Sequence, residues 1–465
     1  MLASQVSAPT LVDEIGRSSQ QELALEKTVQ LTRAEHEVAP LIRREHTSEN
    51  TSQPLRRGYA ARLVSQHIRD EYVAHETDQA RPTISRQRPL LASRLYPPPL
   101  QATLILRERL LTLLDASLAH RLTLLLAPAG FGKTTLLVQW FVRHKQQVAW
   151  LSLDNEHNDP QRFLVYVIGS LQRVYPDLGR SILASVQVET GHTDTRAQEL
   201  AALEERIVLL LNELTALPLE VTLILDNYHL IENQCIHDAL KLLLAQLPAH
   251  VHLIIATRNE PPGLLARLRA SGQLMELGTN ALRLTREEQE ELLTHVLHLE
   301  PEPEGMTALE ECVEGWPAGF YLARSAAQDQ TEFASFLAAC AGNNRHIQTY
   351  FLEEVLTALS PSAQTFLLRT SLLGCCDSSL CAAVTDQENA AGMLEELARA
   401  RVFLSPLVEQ EGWYRYHPLF ASALRHHLRH TQPELAATLH LRASWWFETH
   451  ALFVEAIEHA LAAQE

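Results

Sequence analysis

The chain has 465 residues, 46% of them hydrophobic and 20% charged, with a formal net charge of -17. That length gives room for about three domains, and that composition excludes a fibrous or wholly disordered protein. No lysine- or arginine-dense block forms a standing nucleic-acid surface, no charged-then-apolar leader opens the chain, and no run of about 18 apolar residues follows, so a soluble, cytoplasmic protein is expected. The cysteines show no CxxC spacing and read as free thiols.

Residues 1–88, rich in Gln, Arg, Glu, Ser and Thr, read as a weakly ordered extension. Leu95-Tyr96-Pro97-Pro98-Pro99 is too proline-rich to be helix and is either a plain linker or a segment that lines a base pocket. A helix is expected over Arg107 to Ala119, then a buried strand over Leu122 to Leu126. The turn that follows, Ala127-Pro128-Ala129-Gly130-Phe131-Gly132-Lys133-Thr134, fits a phosphate-binding loop with alanine in its first position. Backbone N–H groups around Gly130 and Gly132 can wrap a polyphosphate if no side chain blocks the approach. Lys133 then reaches the β- and γ-phosphates, Thr134 offers its hydroxyl to Mg²⁺, and Ala129, Phe131 and Thr135 complete the cradle at the helix N-terminus. The competing reading is a mere turn, against which stands the apolar run before it and the apolar face Leu136, Leu137, Trp140 and Phe141 after it.

Val148 to Leu153 reads as a second strand; Asp159 caps a helix with Pro160 at its first position and a stripe of Phe163, Leu164, Val167, Ile168 and Leu171. A surface loop at Glu189 to Thr195 and a helix over Gln198 to Leu217 lead to the strand Val221 to Leu225, which ends in Asp226. An apolar strand closing on an acid, some 90 residues after a phosphate loop, delivers a carboxylate to Mg²⁺; alone it is also a turn-forming Asp. Asn227 stands where a hydrolytic enzyme carries a second acid, and an amide orients water without accepting its proton, so slow turnover is expected. After helix Gln234 to Leu247 and strand Val251 to Ala256, the pair Thr257-Arg258 is either a γ-phosphate sensor or a capped strand end with a solvated arginine. Leu274 to Leu277 completes a sheet of about five strands, and Thr285 with Glu288 forms a capping box.

Pro301 to Gly305 is a hinge by composition, followed by helices broken at Gly315-Trp316-Pro317-Ala318-Gly319. Helices over Ile347 to Leu359 and Met393 to Ala400 precede strands over Val402 to Val408 and Trp413 to Tyr416, a winged-helix outline without a basic face, so an internal packing role is favoured. Leu435 to Phe447 and Val454 to Ala463 pair as one unit of a helical repeat, which cannot bury its own face. The expected architecture is an α/β P-loop NTPase, a parallel sheet flanked by helices (89–300), then a helical subdomain (301–344), a winged-helix domain (345–432) and the start of a repeat region (433–465).

APAGFGKTTLLVQW, LILDNYHLI, IIATRNEPP followed by LARLRASGQL, GWPAG and WYRYHPLF stand in the order and spacing of one family. From about Ser93 onward the chain resembles the signal-transduction ATPases of the maltose-regulon activator type, the MalT-like, LuxR-type members of the STAND class of P-loop NTPases. The resemblance implies an ATP- and ADP-binding switch with Mg²⁺, in which ADP holds a closed state and ATP favours an open, self-associating one. It implies Gly130, Gly132, Lys133 and Thr134 as the phosphate and Mg²⁺ site, Asp226 as second metal-side residue and Arg258 as γ-phosphate sensor. Pro317 would lie near adenine, and His417 would touch the β-phosphate of ADP or else be a buried structural imidazole packed beside Tyr416. The family's helical-repeat sensor and helix-turn-helix are absent from the likeness, so no direct DNA or membrane contact is expected of this chain. Lys133, Asp226, Asn227 and Arg258 are the expected catalytic set of this slow switch. The contrasting expectations are a turning-over ATPase or phosphotransferase, against which Asn227 stands, and a scaffold that holds ADP permanently.

Overall fold

The computed structural model describes residues 90–100, 104–145, 147–188, 195–327, 333–341, 344–407 and 410–464. The expected extension over 1–88 and nearly all of the loop at 189–195 lie outside the described residues. Five parallel strands, β1 (Leu122–Leu126), β2 (Val148–Ser152), β3 (Val221–Asp226), β4 (Val251–Thr257) and β5 (Leu274–Gly278), form one sheet in the order β2-β3-β4-β1-β5. Every residue of β1, β3 and β4 is buried. Helices cover both faces of such a sheet, which is why these strands are mostly Leu, Ile and Val. The register pairs Leu126 with Thr257 and Leu225 with Ile255. The ends of β1, β4 and β3 therefore lie side by side at one rim of the sheet.

The helices obey their local signals. Gly132, at φ 74°, starts Lys133–His144; the Asp159 carboxylate accepts from the Arg162 N–H ahead of Pro160–Leu171; the Thr285 and Glu288 capping box opens Arg286–Glu291. Helix Arg180–Val188 was not expected from the sequence. The proline-rich lead-in follows a 3-10 turn at Ala92–Leu95 and lies against helix Pro160–Leu171: Leu95 packs over Gly169, and Tyr96 lies 4.6 Å from the Arg173 guanidinium.

The C-terminal part is helical, with a three-stranded antiparallel sheet of β6 (Cys375–Cys376), β7 (Leu404–Pro406) and β8 (Tyr414–Tyr416) in the order β6-β8-β7. The first wing strand is shorter than expected because Arg401 and Phe403 both take φ 51°, a left-handed backbone that no strand tolerates. β6 carries only two residues and has no sequence signal. The expected helix from Ile347 is α over Arg345–Tyr350 and widens into a π turn over Phe351–Leu356. One core runs without a break from Leu125 and Phe131 through Trp316, Phe351 and Phe403 to Phe447, while the opposite face of the sheet packs against Phe163, Ile207 and Leu240. Helices Pro433–Thr449 and Phe453–Ala462 pack together but leave Trp445, Phe453, Val454, Ile457 and Leu461 exposed. Among the described residues no helix is long and apolar enough to cross a membrane.

Candidate nucleotide site

The loop after β1 turns twice through left-handed backbone, at Gly130 (φ 77°) and Gly132 (φ 74°). The two glycines answer different needs. A Cβ on Gly130 would stand 2.6 Å from Trp316 Nε1 and 2.7 Å from Ala318 Cβ, whereas one on Gly132 would meet nothing within 4 Å. At Gly130 the constraint is therefore the crossing of the GWPAG segment, not the approach of a phosphate expected from sequence. At Gly132 it is the backbone angle, and the space beside it is open. Lys133 Nζ donates to the carbonyls of Ala127 (2.6 Å) and Pro128 (2.9 Å). Burial, reinforced by Arg258 and opposed by Asp226, pushes its ammonium down to about 7.

Thr134 Oγ1 lies 3.1 and 3.0 Å from the two Asp226 carboxylate oxygens. Asp226 is buried, and burial raises its carboxyl above the usual range against the pull of Thr134, the Asn227 N–H and Lys133. Asn227 takes φ 61° and donates its backbone N–H to Asp226 Oδ1 at 3.0 Å. A hydroxyl and a carboxylate at this spacing, beside a lysine, could hold two corners of an Mg²⁺ shell, with phosphate and water to supply the rest. Among the described residues no three His, Cys, Asp or Glu side chains converge as a self-sufficient metal site.

The polar pair at the end of β4 divides. Thr257 is buried and its hydroxyl donates to the Asn259 carbonyl at 2.8 Å, so it has no free donor for a phosphate. Arg258 Nη1 donates to the Glu354 carbonyl on the π turn, at 3.3 Å, and so is not a merely solvated arginine. Sequence reasoning missed His229, three residues beyond Asp226. Its turn is clamped: Tyr228 Oη and His237 Nδ1 are hydrogen-bonded at 2.7 Å, and Asn158 donates to the Leu230 carbonyl at 2.7 Å. Burial, then Arg258 and Lys133, push the His229 imidazole down to about 3, and its Nδ1 is buried without a partner. The one available signal was a histidine in the otherwise apolar run after LILDN.

Beside the loop is a cavity of about 270 Å³ lined by Leu104, Ile105, Gly130, Thr135, Pro317 and Tyr321, among others. Pro317, first residue of helix Pro317–Ala326, stands in its wall. None of residues 95–99 lines it, so the proline run packs as a linker and the segment that reaches the pocket is Leu104–Arg107. A larger cavity of about 700 Å³ between His120, Lys241 and Arg267 holds none of the expected site residues.

On its other side the loop meets the C-terminal half. Trp316 Nε1 donates to the Ala129 carbonyl at 3.1 Å and the Ala318 N–H to the Gly130 carbonyl at 3.1 Å. The Trp316 ring stacks on Phe351 at 4.9 Å and meets Phe403 edge-on at 5.4 Å, and Phe403 in turn lies 6.1 Å from Phe131. His417 packs against Trp316 (6.0 Å) and Phe403 (5.7 Å), with Nε2 3.1 Å from the Val313 carbonyl. Tyr416 instead turns to Thr370, at 2.6 Å, and to Phe420. Burial pushes His417 down to about 4, so its imidazole is neutral at pH 7. Beside it, the buried Glu314 carboxylate pairs with Arg283 (2.9 Å) and Arg415 (2.7 Å).

Residues 352–436 match the family described as the MalT winged helix domain. The chain is also 34% identical over 381 residues to the HTH-type transcriptional regulator MalT of Cronobacter sakazakii, across 80% of this chain and 41% of that one. The chain is MalT-like. The corresponding protein of Serratia proteamaculans gives 34% identity over 381 residues, 81% of this chain and 41% of the relative. The chain thus spans about two fifths of the length of the MalT regulators it matches. Among solved structures, Cdc6p from Pyrobaculum aerophilum matches at TM-score 0.33 and 13% identity, over 73% of this chain and 99% of that one. Orc1 from Aeropyrum pernix in complex with DNA matches at 0.37 and 16%, over 70% and 91%. At such scores the likeness decides nothing about this MalT-like chain.

Proposed function

We propose that the chain is the nucleotide-responsive part of a transcription regulator of the MalT kind, binding ATP or ADP with Mg²⁺ and reporting which is bound. The observation that carries this reading is the pair of bonds from Trp316 and Ala318 to the Ala129 and Gly130 carbonyls, which ties a phosphate-type loop to the C-terminal half. Backbone N–H groups of Gly130 to Thr135, with Lys133, would hold the phosphates. Thr134 and Asp226 would hold Mg²⁺, whose charge offsets that of the phosphates. Arg258 would exchange its Glu354 carbonyl for a γ-phosphate, so that the triphosphate frees the π turn while the diphosphate leaves it bonded. His417 would sense the loop through Trp316, favouring the ADP state. A ligand biases such an equilibrium only by unequal affinity for its two states. ATP is then expected to favour the open, self-associating form.

Asn227 supplies no base, so hydrolysis acts as a slow reset. Two measurements on the purified chain test the reading: steady-state ATP turnover, and size-exclusion profiles in ATP and in ADP. Turnover below one per minute with a larger species in ATP is expected. Multiple turnovers per second would favour an ordinary ATPase, and a never-exchanging bound ADP with identical profiles would favour a scaffold.

A further inference from the structure

The 700 Å³ cavity lies at the opposite rim of the sheet from the phosphate-type loop and shares no lining residue with the smaller cavity beside that loop. Its wall takes in Arg121 and Gln273, the residues just before β1 and β5, and His252 near the start of β4; the register sets Leu122 of β1 opposite Leu253 and Leu274. β1 has five residues, so about 16 Å of strand separates this rim from the loop. Three cationic side chains stand in the wall, Arg121, Lys241 and Arg267. Arg121 Nη1 donates to the carbonyls of Leu244 (3.3 Å) and Ala245 (2.8 Å), which fixes the guanidinium, while its Nε and Nη2 make no bond among the described residues and keep open surface. Lys241, its side chain 36% exposed, donates to Asp238 at 2.7 Å and lies over Gly263, where a Cβ would stand 3.1 Å from both Cε and Nζ. Arg267 is exposed, and its guanidinium has no ion pair among the described residues.

Among the described residues no Asp or Glu lines this cavity. With Asp238 offsetting one of the three cations, two positive charges remain, in a chain whose net charge is -17. A cleft lined by one sign of charge gathers counter-ions, and guanidinium groups bind phosphate oxygens through charge-assisted hydrogen bonds. Leu244, Leu264 and Leu268 also line it, and apolar wall of this kind favours a ligand with an apolar body over a bare ion. We propose that the cavity binds a small organic phosphate monoester, its dianionic head among Arg121, Lys241 and Arg267 and its apolar body against the leucines. A phosphate monoester carries close to two negative charges at pH 7, which matches the two that the wall leaves over. The site stands apart from the nucleotide reading and holds or fails without it.

The test is calorimetric titration of the full chain with hexyl phosphate, with hexanol and with inorganic phosphate. Hexyl phosphate is expected to bind at least about tenfold more tightly than either of the others. Arg267→Gln and Lys241→Gln, which remove one charge each from side chains outside the core, are each expected to weaken hexyl phosphate about tenfold. Lys133→Ala is expected to leave its affinity unchanged, which separates this cavity from the phosphate-type loop. Three results would overturn the inference: a wild-type chain that does not bind hexyl phosphate, equal affinities for hexyl phosphate and inorganic phosphate, or wild-type affinity in both glutamine variants. Loss of binding in Lys133→Ala would overturn it as well, by moving the ligand to the loop.

Discussion

Toward the sheet, the phosphate-type loop is gripped by directional bonds among buried charged groups: Lys133 to the Ala127 and Pro128 carbonyls, Thr134 to Asp226. Toward the C-terminal half it is gripped mainly by rings, Phe131 against Phe403 and Trp316 over Gly130, with two hydrogen bonds among them, from the Trp316 indole and the Ala318 N–H. The two grips differ in what can release them. A bound anion competes directly for an ammonium and a hydroxyl, whereas ring contacts depend on buried area and offer an anion nothing to compete for. The polar side is suited to sensing and the aromatic side to transmission.

Breaking the polar grip should have the largest effect on binding. Lys133→Ala is expected to lower ATP affinity at least about a hundredfold by calorimetric titration. Circular dichroism should show the fold unchanged, since no core ring is lost. Breaking the aromatic grip should act mainly on stability. Phe403, 5% exposed, touches Phe131, Trp316, Phe351, His417 and Phe420. Phe403→Ala is expected to cost about 3–5 kcal/mol in urea unfolding and to change ATP affinity far less than Lys133→Ala.

The smallest effect is one of pH, and it sharpens the comparison because His417 packs on the aromatic side, against Trp316 and Phe403. Its folded value of about 4 is below the ordinary 6.5, so between those two values the unfolded chain binds a proton that the folded chain does not. Stability present above pH 6.5 is therefore lost as pH falls toward 4, by up to about 3 kcal/mol for this one group. His157, His229, His237 and His459 are also lowered and share this acid limb, so the quantity to measure is the difference between wild type and His417→Gln. Unfolding curves of the two at pH 7 and pH 5 should draw together at the lower value; a constant gap would remove His417 from the acid limb.

The parts of this structure legible in the sequence are those whose cause is local. β1, β3 and β4 are buried on both faces, so their composition declares them, and Asp226 is conspicuous as the acid that ends such a run. The caps at Asp159 and Thr285 satisfy N–H groups within the next three residues and could be read directly. What escaped depends on distant contacts. Nothing near Gly130 announces that Trp316 crosses it from 186 positions away. Thr257 reads locally as one of a phosphate-facing pair, but its hydroxyl goes to the Asn259 carbonyl. His229 lies on a turn too short to have a period, and the left-handed Arg401 and Phe403 shorten a strand that alternation alone would extend.

Trp316 has one more consequence, an optical one. Its indole is fully buried, bonded through Nε1 to the Ala129 carbonyl and stacked on Phe351, whereas Trp445, at the far end of the chain, is 65% exposed. These two of the chain's six tryptophans sit in environments of opposite polarity, and of the two only Trp316 touches the loop. Trp140 and Trp150 are buried as well and emit in the same blue region, so the part of the spectrum that follows the Trp316–Ala129 bond is the part that Trp316→Phe removes, and in that difference the chain carries its own reporter of whether the loop and the helical half are joined.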